Sequence, residues 1–329
     1  MNATNRIALP DDPDGFRHID FLATDGVTDR VHLLGAPEIH AVNAAIAAGR
    51  PLLVRGEPGI GKSQLARAAA RALGRAYVSH VVDSRTESRD LLWTFDAVRR
   101  LADAQLAGAL REDPGAARAA LKVAHYIIPG PLWWVFDWPG AEQQLAAQGA
   151  PPPQPDQGDW QQGCVLLLDE IDKAEPEVPN GLLEALGARE FMPPDAEKKV
   201  RATGRPPLVV ITTNEERALP DAFLRRCLVL QLSLPRDEQP LTAFLIERGR
   251  AHFPAADEAV LKEAAFLLFR DRQSAIVAHV RPRPGQAEYL DLLRAVLTLA
   301  ENDVAAQLAM LETVGEYTLR KHPRENAPD

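Results

Sequence analysis

The sequence predicts an α/β protein in which a parallel sheet is followed by a small helical domain. Five apolar runs of strand length alternate with segments of helical spacing, and after Pro235 only helical spacing remains. The five runs are residues 51–55, 76–82, 164–168, 208–213 and 227–232. Strands that alternate with helices favour a parallel sheet with right-handed crossovers.

The first third of the chain contains an irregular lead-in and three predicted helices. Residues 1–30 are rich in Asp, Pro and Gly, which is typical of an irregular segment. Helical spacing covers 37–48, ending at Gly49, and 61–73, ending at Gly74. Residues 91–110 carry a wide apolar stripe and predict a third helix.

A tryptophan-rich stretch and a polar loop precede the third strand. Residues 127–138 hold three of the five tryptophans, and a packing role in the core or between subunits is favoured over ligand stacking. Residues 139–162 are rich in Gln, Pro and Gly, which predicts a long flexible or inserted functional loop. Residues 179–188 then predict a helix.

The domain boundaries follow from these changes of pattern. We expect a nucleotide-binding core over 31–235, a helical domain over 236–320 and a polar tail over 321–329.

Composition excludes several classes of protein. The 329 residues carry a formal charge of −9, which argues against a broadly basic nucleic-acid surface. No apolar run is long enough to span a bilayer, and the acidic N-terminal residues do not form a signal peptide. The two cysteines, Cys164 and Cys227, lie in predicted buried strands without metal-type spacing, which favours reduced core residues and a cytoplasmic location.

The strongest motif is a glycine loop between the first strand and the helix that follows it. The loop and the first residues of that helix are Gly56, Glu57, Pro58, Gly59, Ile60, Gly61, Lys62, Ser63 and Gln64. Such a loop directs backbone N–H groups at an anion. Lys62 then adds a charge for the β- and γ-phosphates, and Ser63 offers a hydroxyl to Mg²⁺. The alternative is a glycine-rich turn that matches by accident, and the strand–loop–helix context argues against it.

Polar side chains end two later strands. Asp169 and Glu170 follow the apolar run 164–168, and Asn214 follows 208–213. Ligands of open α/β sheets bind at the carboxyl ends of strands. In this position Asp169 can hold Mg²⁺, Glu170 can polarise the attacking water, and Asn214 can orient the water or the γ-phosphate. A solvent-exposed turn is the alternative interpretation.

Arg225 and Arg226 form a basic pair eleven and twelve residues after Asn214. An arginine beside the nucleotide of another protomer would stabilise transition-state charge, and Arg226 is favoured over Arg225 for this role. The alternative is a solvated pair that interacts favourably with a helix end.

Together these motifs resemble those of the AAA+ ATPases, and within them the MoxR-type group. The matching segments occur in the family's order over about residues 35–235: the glycine loop, Gly130-Pro131-Leu132, the run Leu-Leu-Leu-Asp-Glu-Ile-Asp-Lys-Ala at 166–174, Leu-Leu-Glu-Ala-Leu at 182–186, Thr212-Thr213-Asn214 and Leu-Pro-Asp-Ala-Phe-Leu-Arg-Arg at 219–226.

The resemblance implies a P-loop αβα sandwich with sheet order 5-1-4-3-2 and a helical lid. It also implies assembly into a homo-oligomeric ring, usually a hexamer. By resemblance, Lys62 and Ser63 bind phosphate and Mg²⁺, Asp169 coordinates Mg²⁺, and Glu170 activates water. Asn214 is then the first sensor and Arg226 acts in trans.

One segment departs from the family's pattern. The family usually places a lid arginine at the start of a late helix, whereas the simplest register here puts Gly285 or Gln286 there. Either Arg283 substitutes from the preceding turn and contacts the nucleotide, or the lid sensor is missing.

Two functions follow from the resemblance and the motifs. The first is an Mg²⁺-dependent ATPase whose turnover remodels or matures a protein partner, often one with a von Willebrand A domain. The alternative is an ATP-gated scaffold or signalling component of a bacterial conflict system, in which hydrolysis is incidental. A motor on nucleic acid is disfavoured by the negative charge and by the lack of a recognisable DNA-binding module in the sequence.

Overall fold

The computed structural model describes residues 5–12, 15–21, 31–110, 113–146, 148 and 158–320. Its strands are β1 (Arg17–Asp20), β2 (Val31–Leu34), β3 (Leu52–Arg55), β4 (Arg75–Val81), β5 (Trp93–Phe95), β6 (Ile127–Pro129), β7 (Asp159–Asp169), β8 (Glu190–Phe191), β9 (Val200–Arg201), β10 (Leu208–Thr213) and β11 (Leu228–Gln231).

The helices lie between these strands and after the last of them. They are α1 (Ala36–Ala48), α2 (Lys62–Leu73), α3 (Ala97–Leu110), α4 (Pro114–Ala120), α5 (Pro131–Phe136), α6 (Trp138–Ala146), α7 (Glu177–Ala188), α8 (Asp221–Leu224), α9 (Glu238–His252), α10 (Glu258–Val277), α11 (Gln286–Leu299) and α12 (Val304–Thr318). Among the described helices, none has the length and apolar character that crossing a bilayer requires.

Five strands form a central parallel sheet in the order β11-β3-β10-β7-β4. Counted along the chain within the sheet, this is the predicted order 5-1-4-3-2, and the P-loop αβα fold class is confirmed. The register pairs Ile211 of β10 with Leu168 of β7, so both strands end at the same edge. All six residues of β10 are buried, as expected for a strand with both faces covered.

Contacts divide the chain into two compact units, each with its own core. The first comprises Met1–Leu9, Pro37–Val54 and Ala66–Leu230, within the described ranges, and contains most of the central sheet. The second comprises the described residues of Pro10–Ala36, Arg55–Leu65 and Gln231–Asp329, and contains the glycine loop and the four C-terminal helices. The predicted domain limits at 30, 235 and 320 stay predictions.

The tryptophan-rich stretch belongs to the core of the first unit. All six residues of α5 are buried, and the helix packs on β4 and β7. The ring of Trp134 lies 5.0 Å from that of Trp138 in an edge-to-face arrangement, and the ring of Trp133 meets Phe191 in the same way at 5.6 Å. The packing interpretation is therefore confirmed. Cys164 and Cys227 are also buried, and both are free thiols.

Four helices and a pair of antiparallel strands make up most of the described part of the second unit. The core contains buried side chains from α9, α10, α11 and α12, among them Leu245, Leu268, Tyr289 and Leu311. Strands β1 and β2 pair in antiparallel fashion, Arg17 opposite Leu34. The helical character predicted for the segment after Pro235 is confirmed.

Three sequence predictions of local structure were wrong in part. Residues 1–30, predicted as irregular from their Asp- and Gly-rich composition, contain strand β1. The helix expected over 91–110 starts only at Ala97, because residues 93–95 pair with β6 as a strand. The loop expected over 139–162 is helical to Ala146 and is already strand from Asp159; residues 147 and 149–157 lie outside the described ranges.

Candidate functional site

The acids that end β7 are joined to the neighbouring strand by one buried hydroxyl. The side chain of Thr212, which is fully buried, donates its hydroxyl proton to Asp169 Oδ1 at 2.5 Å. The hydroxyl oxygen of Thr212 also accepts a hydrogen bond from the Glu170 N–H at 2.9 Å. Thr212 therefore fixes both predicted acids at the carboxyl end of the sheet, a role that its place in the Thr212-Thr213-Asn214 segment did not indicate.

Glu170 adopts a backbone conformation that is costly for a residue with a side chain. Its φ of 62° and ψ of 47° lie in the left-handed region, which costs about 1–3 kcal/mol for a residue other than glycine. Asn214 Nδ2 donates to Glu170 Oε1 at 3.3 Å, and Lys173 Nζ donates to Glu170 Oε2 at 2.5 Å. The structure thus brings the predicted Glu170 and Asn214 together and adds Lys173.

Lys173 and Asp172 support this arrangement from the turn that follows Glu170. The hydrogen bond with Glu170 raises the pKa of Lys173, so the amine keeps its positive charge. Asp172 is buried, and its carboxylate accepts hydrogen bonds from the N–H groups of Asn214 (3.4 Å) and Glu216 (2.9 Å). Asp172 therefore holds the loop after β10, which positions Asn214. A second aspartate three residues after Asp169 was the available signal for this role.

In the second unit, three glycines of the loop between β3 and α2 have positive φ and lie close to other groups. At Gly56 (φ 150°), a Cβ would lie 2.5 Å from the carbonyl oxygen of Leu232. At Gly59 (φ 76°), a Cβ would lie 2.9 Å from the Cβ of Ala287. Gly61 (φ 95°) also has a positive φ, and side chains would be strained at all three positions.

Lys62 folds back over the glycine loop. This buried side chain donates from Nζ to the carbonyl oxygens of Gly56 at 2.7 Å and Glu57 at 3.0 Å. Ser63 and Gln64 follow in the first turn of α2 and are partly buried. The loop therefore presents an amine, a hydroxyl and the start of a helix together, which is a set of groups suited to binding phosphate.

The remaining loop residues differ in their surroundings. Ile60 packs into the core of the second unit, whereas Pro58 is exposed. The carboxylate of Glu57 forms an ion pair with Arg272, Nη2 to Oε2 at 2.6 Å, and lies 3.9 Å from Nη1 of Arg283.

In the described part of the C-terminal helical region, no arginine stands at the start of α11 or α12. Helix α11 begins at Gln286, with Gly285 as the preceding residue, as the sequence register indicated. Arg283 lies in the preceding turn and contacts Glu57. Arg272, on α10, is a charged residue of this region that sequence reasoning missed.

Arg225 and Arg226 follow the short helix α8 of the first unit, and both are exposed. The guanidinium of Arg50 donates to the carbonyl oxygens of Arg225 and Arg226, in the latter case at 3.1 Å. The backbone of the arginine pair is therefore held in place while the two side chains extend to the surface.

The sheet order, the glycine loop after β3 and the acids after β7 define a class of protein, the P-loop nucleotide-binding αβα proteins. The model of the AAA domain (dynein-related subfamily) matches residues 51–249, so the chain belongs to that family of AAA+ ATPases.

Two solved structures are similar to this chain at low sequence identity. A provisionally assigned ATPase from Cytophaga hutchinsonii is 13% identical, with a TM-score of 0.38 over 86% of this chain and 79% of the other. A RuvB variant from Thermotoga maritima is 16% identical, with a TM-score of 0.43 over 84% of this chain and 66% of the other. Among curated proteins, no sequence matches this chain at a significant level.

Proposed function

We propose that the chain binds ATP with Mg²⁺ and hydrolyses it. One observation carries the proposal: Glu170 is held in a strained conformation with its carboxylate in contact with Asn214, and Thr212 connects it to Asp169. An acid, its amide partner and a second acid at the end of a buried strand are groups that can orient the attacking water and hold the metal in nucleotide hydrolysis.

The residues present fit Mg²⁺–ATP. The carboxylate of Asp169 and the hydroxyl of Ser63 are hard oxygen ligands, which Mg²⁺ prefers. The amine of Lys62 and the backbone of residues 56–64 are suited to the phosphates. Bound Mg²⁺ would neutralise the charge that develops on the phosphates. Arg283 stays a proposed contact to the nucleotide.

Glu170 is proposed to orient the attacking water and accept its proton. Each carboxylate oxygen has two lone pairs, so the bonds from Asn214 and Lys173 leave acceptor positions available. These two donors fix the direction of the carboxylate, and the amide of Asn214 adds no charge. Removing the acid should therefore stop hydrolysis while leaving the binding of ATP intact.

Phosphate release and ATP binding test this assignment directly. Glu170→Gln is expected to keep the wild-type affinity for ATP and to lose turnover, whereas Lys62→Ala is expected to lose binding. Glu175→Gln is the matched control, because the side chain of Glu175 is exposed and its ion pair with Arg217, at 3.5 Å, is exposed to solvent. Wild-type protein that releases no phosphate, alone or with a partner, would refute the proposal.

We further propose a MoxR-type role in which a homo-oligomeric ring, expected to be a hexamer, remodels a cytoplasmic protein partner. Family membership supports assembly, and the resemblance of the sequence to the MoxR-type group supports a partner with a von Willebrand A domain. The side chains of Arg225 and Arg226 are exposed on a turn whose backbone is held by Arg50. This supports a role in which Arg226, in preference to Arg225, contacts the nucleotide of a neighbouring subunit.

Mixing two inactive variants tests the ring and the trans role together. Arg226→Ala and Glu170→Gln subunits are each expected to be inactive alone. When mixed, some neighbouring pairs regain an intact Glu170 and an intact Arg226, so phosphate release should return. No recovery despite co-assembly by analytical ultracentrifugation would show that Arg226 does not act between subunits.

A further inference from the structure

Within the second unit, the glycine loop is tied to helix α10 by an ion pair. Nη2 of Arg272 contacts Oε2 of Glu57 at 2.6 Å, across 215 residues of sequence. The other terminal nitrogen, Nη1, donates to the carbonyl oxygen of Pro284 at 3.0 Å. The guanidinium therefore bridges the loop and the turn that precedes α11.

The same glutamate also contacts the lysine of the loop. The carbonyl oxygen of Glu57 accepts a hydrogen bond from Lys62 Nζ, and so does the neighbouring carbonyl oxygen of Gly56. Glu57 thus connects two cations: Arg272 through its carboxylate and Lys62 through its backbone. A shift of Glu57 would move the backbone that Lys62 and the phosphate-facing N–H groups depend on.

The burial of Arg272 makes this contact different from an ordinary surface ion pair. The side chain of Arg272 is 9% exposed, whereas that of Arg270, two residues earlier on α10, is 43% exposed in its pair with Glu312. A buried guanidinium needs its carboxylate partner, because an unpaired buried charge is costly. Exposed pairs contribute little. Arg272 is therefore able to hold Glu57 in one place.

Arg283 is the weaker of the two guanidinium contacts to Glu57. Its Nη1 lies 3.9 Å from Oε1, and the side chain is 23% exposed. Arg272 lies closer to the carboxylate of Glu57 and also donates a hydrogen bond to the carbonyl oxygen of Pro284. Arg272 is therefore the main guanidinium partner of Glu57.

We infer that Arg272 is a positioning residue for nucleotide binding, which acts through Glu57 to hold the phosphate loop in its binding conformation. The inference rests on the proposed function of the loop as the ATP site. Arg272 touches neither the nucleotide nor the reacting atoms in this scheme. It preorganises the loop, so its loss should weaken ATP binding while affecting kcat little at saturating ATP.

Binding of a fluorescent ATP analogue and steady-state kinetics test the inference. Arg272→Met keeps an unbranched side chain and removes the charge. Arg272→Lys keeps the charge but loses the planar guanidinium, whose two terminal nitrogens contact Glu57 and Pro284. We expect Arg272→Met to raise the Kd and KM about tenfold, the loss expected for one hydrogen bond to a charged group. Arg272→Lys should recover part of this loss. The control Arg270→Met should leave the Kd within twofold, because its ion pair is exposed.

A double-mutant comparison keeps the test decisive where Arg272→Met folds poorly. Glu57→Gln changes a partly exposed side chain without altering its size, and it should raise the Kd by a similar factor. The double variant Glu57→Gln with Arg272→Met should bind no worse than either single variant, since both remove the same contact. Additive losses, or an unchanged Kd in Glu57→Gln, would overturn the inference.

Hydrogen exchange without nucleotide separates this inference from the proposed function. Amides of residues 55–65 should exchange faster in Glu57→Gln than in wild-type protein, with α12 unaffected. Unchanged exchange in this segment would overturn the positioning role. Wild-type protein that shows this protection but binds no ATP would instead refute the proposed function.

Discussion

Thr212→Val is the sharpest test of how the site is built, because it removes one hydroxyl and almost nothing else. Valine has nearly the same shape as threonine and suits a buried strand. The change deletes the hydrogen bond to Asp169 Oδ1 and leaves the N–H of Glu170 without its acceptor. Both losses fall on the acids proposed to carry the chemistry.

The expected cost follows from these two contacts. Losing a hydrogen bond to a charged group costs about 1.5–3 kcal/mol, and a buried donor left unsatisfied costs about 1–3 kcal/mol. Because Glu170 can relax toward water, we expect the free energy of unfolding to fall by about 2–4 kcal/mol in total. The left-handed conformation of Glu170 loses one of its restraints, so kcat should fall at least tenfold. The KM for ATP should change little, since the phosphate loop is untouched.

Thr213→Val provides the matched control. Thr213 is equally buried and accepts one hydrogen bond, from the N–H of Glu215 at 2.9 Å, but it contacts neither acid through an observed hydrogen bond. Urea unfolding and phosphate release are measured on both variants. We expect Thr213→Val to keep kcat within twofold. Equal losses of kcat in the two variants, or wild-type stability and turnover in Thr212→Val, would refute the reasoning.

Two further predictions concern stability. Burial, with the nearby charges of Arg248 and His252, lowers the pKa of His32 to about 3, below its unfolded value near 6.5. As the pH falls below 6.5, the unfolded state binds the proton before the folded state does. The free energy of unfolding should therefore fall by up to about 2 kcal/mol between pH 6.5 and pH 5. Urea titrations at the two pH values should show a smaller fall in His32→Gln. Trp134→Ala should lower the free energy of unfolding by about 3–5 kcal/mol, because it empties a buried ring position beside Trp138. A loss below 1 kcal/mol in thermal or urea unfolding would contradict the packing role.

The long elements could be predicted from the sequence, and the short ones could not. Each strand of the central sheet is an apolar run that is covered on both faces, so the pattern alone identifies it. Strands β5 and β6 have three residues each, and they form because Phe95 and Ile127 meet across 32 positions of sequence. No local pattern signals such a pair. Because the apolar stripe of α3 continues into the preceding residues, the predicted helix wrongly included β5.

The same distinction applies to the site. The positions of Asp169, Glu170 and Asn214 at the ends of buried strands could be predicted, because a polar residue directly after such a strand is a local signal, while their roles stay predictions. Thr212 could not, because threonine is common in strands, and its role depends on the register of β10 against β7. The pairing of Arg272 with Glu57 is another contact between distant parts of the chain, and a helix with two arginines gives no indication of which one is buried.

The backbone of Glu170 argues against the alternative that Asp169 and Glu170 merely form a solvent-exposed turn. A glycine at this position would adopt the left-handed conformation without the cost of about 1–3 kcal/mol that a glutamate incurs. In the folded protein, a hydrogen bond from the N–H of Glu170 to the hydroxyl oxygen of Thr212 holds the backbone in this conformation. Hydrogen bonds from Lys173 and Asn214 hold the carboxylate. A turn that served only to reverse the chain would need none of these side-chain contacts. The contacts converge on the carboxylate, so the direction of this side chain is the property that the local structure maintains.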